Sequence, residues 1–117
     1  IVTYGNGYYL SRQAEKILRE EHDVGLRVID LRWLAPLNEH GLLDATKDCK
    51  RVLIVDECRK TGSQSEGLMA LFAERAPDVP CRRITAEDSF IPLGGGATLT
   101  LPSRDSIVAA ALELVRG

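Results

Sequence analysis

The fold is decided by the stretch Val28-Ile29-Asp30-Leu31-Arg32-Trp33-Leu34-Ala35-Pro36-Leu37 and, further along the chain, by Val52-Leu53-Ile54-Val55-Asp56-Glu57. In each stretch an apolar strand ends in charged residues, and a helix-forming segment follows. This order is typical of a doubly wound sheet, in which the carboxyl ends of the strands meet at one edge. Ligands and partners usually bind at that edge, so the residues that follow the strands are the first candidates for function.

Hydrophobic periodicity predicts four strands, at residues 1–4, 27–31, 51–55 and 81–85, with a helix after each. Asn38 and Ser103 are predicted N-caps, and Ser63 with Glu66 forms a predicted capping box. The region 86–100 is predicted to be irregular. We therefore expect a three-layer α/β/α domain with a mostly parallel twisted sheet of about five strands, four at the least.

Composition limits the classes of function. The chain has 117 residues, enough for a single domain over residues 1–117, and a net charge of −2. It lacks the basic face that nucleic acid binding needs and the run of roughly 20 apolar residues that spans a bilayer. Because the chain opens on Ile1, already inside a strand and without an initiator Met, we expect it to be a fragment of a longer polypeptide.

The cysteines are Cys49, Cys58 and Cys81. Their odd number, wide spacing and lack of a CxxC pair disfavour a disulfide framework or a zinc site. A reducing, cytoplasmic location is expected.

Gly5-Asn6-Gly7 resembles the start of a dinucleotide fingerprint, with Asp30 where a ribose-binding acid would lie. The third glycine of the fingerprint is replaced by Leu10, so a tight strand-to-helix turn is the favoured interpretation. An independent Rossmann-like ligand-binding domain stays open as an alternative function.

Other catalytic patterns are incomplete. The segment 62–67 has the glycine spacing of a phosphate-binding loop, but Leu68-Met69 replaces the Lys-Ser/Thr pair that holds phosphate and magnesium. His22 and His40 lie near helix ends and are expected to be solvated. We expect this domain to contribute no catalytic residue, no cofactor ligand and no metal ligand.

Asp56 and Glu57 are adjacent on an extended chain, so their side chains point to opposite faces of the sheet. A contact with a helix terminus or with a subunit is therefore favoured over an acid/base pair. Asp30 and Arg32 share a face and can pair, although an exposed ion pair contributes only about 0–1 kcal/mol.

Several segments together resemble the C-terminal domain of the transketolase superfamily, and among its members the beta subunit of thiamine-dependent 2-oxo acid dehydrogenases of the pyruvate and branched-chain type. These segments are Tyr4-Gly5-Asn6-Gly7, Val28 to Leu37, Val55-Asp56-Glu57, Thr61-Gly62, Ser65-Glu66, Asp88-Ser89-Phe90-Ile91-Pro92 and Leu101-Pro102-Ser103.

The resemblance implies a parent enzyme that uses thiamine diphosphate and magnesium and passes an acyl group to a lipoyl arm. The implied partners are the upstream domain of the same polypeptide, an alpha-type subunit, a second copy of the chain and the lipoyl acyltransferase core. In that family the C-terminal domain shapes the subunit interface and is not catalytic in isolation. Deoxyxylulose phosphate synthase and transketolase share the domain and are the nearest alternatives.

The loops after the first three strands are the predicted interface edge, because strand carboxyl ends collect there. The candidate residues in these loops are Asn6, Arg32, Trp33, Leu34, Glu57, Arg59 and Ser65.

Overall fold

Each strand of the sheet is followed along the chain by a helix. The structure is a computed structural model that describes residues 1–90 and 94–117, with the backbone alone at 97–99. The elements in chain order are β1 (Val2–Thr3), α1 (Asn6–His22), β2 (Ile29–Asp30), α2 (Glu39–Thr46), β3 (Val52–Arg59), α3 (Gln64–Arg75), β4 (Cys81–Ala86), a 3-10 helix (Gly94–Leu99) and α4 (Arg104–Arg116). Ile91 and Pro92 of the family-like motif lie outside the described residues.

Over residues 1–90 and 94–117 the sheet has four strands in the order β2-β1-β3-β4, and every pair is parallel. Val2 lies opposite Ile29 on one side and Ile54 on the other, which sets the register of the central strands. Parallel pairing brings all four carboxyl ends to one edge, named here the carboxyl edge; the opposite edge is the amino edge. The expected α/β fold is confirmed, with the strand count at the lower end of the prediction.

Two apolar clusters cover the two faces of the sheet. Leu53 and Val55 pack with α1 and α4 on one face, while Val52 and Ile54 pack with α2 and α3 on the other. All four side chains are at most 4% exposed. Alternation along β3 explains the division, since successive side chains of a strand point to opposite faces, and a strand covered on both faces needs a continuous apolar sequence.

All four strands differ from their predicted bounds. β1 is Val2–Thr3 instead of 1–4, and β4 is Cys81–Ala86 instead of 81–85. β3 continues beyond 55 to Arg59, and its pairing with β4 shifts register between Val55 and Arg59. β2 is only Ile29–Asp30 instead of 27–31. The reason is its neighbour β1, which is two residues long and offers ladder partners over only a short distance.

Two of the three predicted helix N-caps are formed as expected, and one is not. The Asn38 side chain accepts from the Gly41 N–H at 3.0 Å, and Ser103 forms a reciprocal capping box with Ser106, so both predicted N-caps are confirmed. The capping box predicted for Ser63 is wrong, because the Ser63 side chain makes no capping hydrogen bond to α3. A carboxylate from β3 takes its place.

Candidate functional site

Asp56 is a fully buried carboxylate at the carboxyl edge, on the face of β3 that packs against α3. Its Oδ1 accepts from the Tyr4 hydroxyl at 2.5 Å and from the Cys58 N–H at 2.8 Å. Its Oδ2 accepts from the Ser65 N–H at 3.0 Å, in the first turn of α3. Asp56 thus caps α3 from the sheet, where a negative charge also interacts favourably with the helix dipole.

The protonation of this cluster follows from its contacts. Burial opposes ionisation of Asp56, but the hydrogen bonds from Tyr4, Cys58, Ser63 and Ser65 outweigh it and hold the pKa of this carboxyl below its ordinary value. Burial and the hydrogen bond to Asp56 raise the pKa of Tyr4. Asp56 is therefore a fixed anion and Tyr4 a neutral donor at neutral pH, which is a structural arrangement and not one poised for proton transfer.

Glu57 performs the same task on the opposite face. Its Oε1 accepts from the Asn6 N–H at 3.2 Å, at the first residue of α1. The preceding Gly5 has φ +58°, and a Cβ there would collide with the Glu57 carboxylate. The two adjacent acids of β3 therefore cap two different helices, and the helix-terminus contact expected from the alternation of β3 is confirmed for both.

These contacts bear on the dinucleotide hypothesis. The turn Gly5-Asn6-Gly7 is tight, as expected, and is closed by the Tyr8 N–H donating to the Gly5 carbonyl at 3.2 Å. A pyrophosphate at the N-terminus of α1 would have to displace Glu57. Asp30, proposed as the ribose ligand, instead lies 3.0 Å from the Arg32 guanidinium, which confirms the predicted pair.

Hydrogen bonds join the loops of the carboxyl edge to one another. The Gln64 side chain donates to the Leu34 carbonyl at 3.3 Å, which links the loop after β2 to the start of α3. Asp88, after β4, accepts from the N–H of Thr61 at 2.8 Å and from its hydroxyl at 2.5 Å, which links the loops after β3 and β4. These hydrogen bonds from Thr61 lower the pKa of Asp88. The edge is therefore one connected surface.

The predicted interface residues differ in how much of each is exposed to solvent. Trp33 is 73% exposed, and the Arg32 side chain is 84% exposed. Asn6 and Arg59 are also exposed, and Leu34 and Glu57 are partly buried. Ser65 is fully buried, and its hydroxyl contacts Ser63 at 2.9 Å and Arg83 at 3.0 Å inside the domain.

Sequence reasoning missed three residues that organise this edge: Tyr4, Arg83 and Asp88. Arg83 donates to the Lys60 carbonyl at 2.8 Å, so it holds the loop after β3. Tyr4 follows β1 and Asp88 follows β4, so a search for polar side chains just after each strand would have found both.

The described part of the chain offers no group of three or more His, Cys, Asp or Glu side chains able to hold a metal ion. Asp56 and Glu57 already accept from helix N-termini, and Asp88 accepts from Thr61. These residues therefore do not fit a magnesium diphosphate. His22 and His40 are exposed, as expected. Within residues 1–90 and 94–117, no helix has both the length and the apolar character needed to cross a bilayer.

Comparison with known proteins places these observations in a family. A family model described as the C-terminal domain of transketolase matches residues 1–101. Pyruvate dehydrogenase E1 component subunit beta of Staphylococcus aureus is 27% identical over 116 residues, covering 97% of this chain and 35% of that protein. Acetoin:2,6-dichlorophenolindophenol oxidoreductase subunit beta of Bacillus subtilis is 31% identical over 99 residues, covering 81% of this chain and 29% of that protein.

Two further relatives extend the comparison. 1-Deoxy-D-xylulose-5-phosphate synthase of Wolinella succinogenes is 29% identical over 93 residues, covering 80% of this chain and 15% of that protein. A structure described as a split gene transketolase, inactive beta4 tetramer, has a TM-score of 0.83 at 20% identity and covers 98% of this chain and 37% of that one, which shows a shared fold. The chain thus spans 15–35% of the relatives' length, and it belongs to the transketolase C-terminal domain family.

Proposed function

We propose that this domain is the C-terminal assembly domain of the thiamine-diphosphate-dependent, decarboxylating component of a 2-oxo acid dehydrogenase, and that it is not catalytic in isolation. One observation carries the proposal: the strand-end acids Asp56 and Glu57 cap helices, while Arg32 and Trp33, which follow β2 at the same edge of the sheet, face solvent. Such an edge is suited to contacts with another protein surface and not to chemistry on a small substrate.

The dehydrogenase assignment is supported by how much of the chain aligns. The match to the pyruvate dehydrogenase beta subunit covers 97% of this chain, against 80% for the deoxyxylulose phosphate synthase. Since only 35% of that beta subunit is matched, the proposal includes an upstream domain of the same polypeptide. Thiamine diphosphate and magnesium would be held by that upstream domain and an alpha-type subunit.

The exposed part of the carboxyl edge is the proposed contact surface. Trp33 is a large exposed apolar group of this surface, and aromatic and Arg side chains are enriched where interfaces carry most of their energy. Asn6, Arg59 and the Asp30–Arg32 pair would supply its polar rim. Ser65 is buried, so it would support this surface indirectly by holding the start of α3. A second copy of the chain and a lipoyl acyltransferase core are the further partners proposed.

Reconstitution tests the function. The domain is combined with its upstream polypeptide and an alpha-type subunit, and decarboxylation of pyruvate and of branched-chain 2-oxo acids is measured with thiamine diphosphate and magnesium. Activity is expected only when all parts are present. Cofactor binding by this domain alone, measured by titration calorimetry, would contradict an assembly role.

The interface is tested by a double variant, Trp33→Ser with Leu34→Ser. Sedimentation of the reconstituted assembly is expected to shift toward smaller species, with the helical circular dichroism of the domain retained. Val115→Ser is the control, because Val115 is also exposed, at 45%, but lies in the last turn of α4, at the amino edge of the sheet. Equal sedimentation of the double variant and the parent would count against this surface.

The Wolinella succinogenes relative supports a second candidate, in which the same domain serves a 1-deoxy-D-xylulose-5-phosphate synthase. The reconstituted enzyme distinguishes the two by its product. An acyl group on a lipoyl acceptor supports the dehydrogenase, and 1-deoxy-D-xylulose 5-phosphate supports the synthase. An independent nucleotide-binding domain is disfavoured by Glu57 at the N-terminus of α1, and titration with nicotinamide and adenine nucleotides tests it directly.

A further inference from the structure

β4 is the outermost strand on one side of the sheet. Among the strands that the structure describes, it pairs with β3 alone. The Val52 N–H donates to the carbonyl of Pro80, just before β4, at 3.0 Å. Because the backbone groups of a strand point alternately to its two sides, the even-numbered positions up to 84 also direct their N–H and C=O groups toward β3. The groups of Cys81, Arg83 and Thr85 point outward, and we name this row the β4 border.

The β4 border is unpaired. The described residues provide no hydrogen-bond partner for its outward backbone groups. Pairing resumes only beyond β4, where the Glu87 N–H donates to the Thr100 carbonyl at 3.0 Å. Natural sheets commonly protect such a row with Pro or Lys, because it readily accepts another strand. Residues 81–85 contain neither of these, so the border is open to strand addition.

On the face that carries α3, a small side chain lies beside the border. Met69 of α3 contacts the start of β4, where its sulfur lies 3.6 Å from the Cys81 sulfur. Ala73 follows Met69 by one helical turn, so it lies on the same side of α3, and it is exposed. The helix therefore leaves room here for a neighbouring element.

The opposite face has the same arrangement. Glu113 of α4 forms an ion pair with Arg82 at 3.2 Å, which shows the side of α4 that faces β4. Ala109 precedes Glu113 by one turn and is also exposed. A second sheet with its own helices can thus lie directly beside the β4 border.

The sequence of β4 favours one register for two copies of the strand. In an antiparallel pair related by a two-fold axis, one residue lies opposite itself. An axis at Arg82 or Arg83 would oppose two guanidinium groups, and like charges directly opposite each other are destabilising. An axis at Ile84 brings two apolar side chains together. Arg83 of each copy then lies opposite Thr85 of the other, and each such pair exchanges two backbone hydrogen bonds.

We infer that the β4 border is a self-association surface, at which the β4 strands of two copies of this chain pair antiparallel across Ile84 and join their sheets into one. The contact is isologous, since the same residues meet in both copies. This self-complementary register favours a second copy over an unrelated strand, and main-chain hydrogen bonds supply the affinity. The surface is separate from the carboxyl edge, so the inference goes beyond the proposed function and does not depend on it.

Sedimentation velocity and hydrogen exchange of the 117-residue chain test the pairing without any variant. With rising protein concentration, a dimer should form and exchange of the Arg83 and Thr85 amides should slow by roughly tenfold or more. The Arg82 and Ile84 amides, which face β3, should change less. Slowing at Cys81 would place Arg83 opposite itself and overturn the register. A chain that stays monomeric, or a dimer without slowing at Arg83 and Thr85, would overturn the inference.

A pair of variants at Thr85 adds a second test. Thr85→Pro removes an outward N–H and leaves the ladder to β3 intact, since Pro is tolerated at the open side of an outermost strand. Thr85→Ala keeps that N–H and is the matched control. The dimer dissociation constant should rise by roughly tenfold or more for Thr85→Pro and change less for Thr85→Ala, with the circular dichroism of both retained. Equal constants would contradict strand pairing. Dimerisation of this chain is measured without catalysis, so its failure is distinguished from failure of the proposed enzyme function.

Discussion

The two edges of the sheet differ in the side-chain contacts that hold them. At the carboxyl edge, Asp56 and Glu57 accept from the first turns of α3 and α1, so the helix ends are satisfied by side chains of β3. At the amino edge, an exposed ion pair between Arg27 and Asp48 at 2.9 Å joins the segment before β2 to the segment before β3. The carboxyl edge is thus held by buried and partly buried carboxylates, whereas the amino edge is held by an exposed ion pair.

The largest expected change in the free energy of unfolding comes from replacing Asp56 at the carboxyl edge. Asp48 at the amino edge provides the comparison. Asp56→Ala removes the acceptor of the Tyr4 hydroxyl and of the Cys58 and Ser65 N–H groups, and should lower the free energy of unfolding by about 3 kcal/mol. Asp48→Ala removes a carboxylate whose side chain is 62% exposed, and should change stability little. Urea denaturation measures both. A larger loss for Asp48→Ala would break the distinction between the edges.

The dependence of stability on acidic pH tests the same comparison between Asp56 and Asp48. The folded-state pKa of Asp56 lies below its unfolded value, so its contribution to stability is present above the unfolded pKa, about 3.9, and is lost as the pH falls through the folded value. Asp56→Asn should therefore flatten the decline of stability below about pH 4. The hydrogen bond from Arg27 also lowers the pKa of Asp48, but this carboxylate is exposed, so solvent screens its contribution. Asp48→Asn should therefore flatten the curve less than Asp56→Asn, and an equally flattened curve would contradict the special role of Asp56.

Glu57 should have a smaller effect than Asp56, because it is only partly buried and caps a single N–H. Glu57→Ala should lower the free energy of unfolding by about 1 kcal/mol, the usual size of an N-terminal capping contact. Glu57→Gln keeps an acceptor oxygen and should recover much of that loss. The charge of Glu57 would be the more important factor if both variants lost the same amount in urea denaturation.

The sequence predicted what depends on neighbouring residues. The alternation of β3 placed Asp56 and Glu57 on opposite faces, and Asn38 capped its own helix as expected. It did not predict which helix Asp56 would cap, since this carboxylate lies nine positions before Ser65 and reaches the helix only once the sheet has formed. Ser63 satisfies the local rule for a capping box, but Asp56 takes that role.

The length of β2, too, depends on residues that are distant in the sequence. The apolar run 27–31 fits a strand, but a strand exists only where its neighbour supplies a ladder, and β1 extends only over Val2–Thr3. The Thr61–Asp88 contact, too, joins residues 27 positions apart, so no local pattern contains it. What the sequence could not give is pairing between distant segments, at both edges of the sheet.

Replacing Arg32 should have the smallest effect on the free energy of unfolding. Because the fold is unaffected, this variant can report on the interface. Its side chain is 84% exposed and pairs only with Asp30 at 3.0 Å, so Arg32→Ala should change the free energy of unfolding by less than about 0.5 kcal/mol. If the carboxyl edge is a contact surface, the same variant should weaken association in sedimentation while the urea midpoint stays constant. Loss of stability without loss of association would instead make Arg32 part of the fold, and would remove it from the proposed interface.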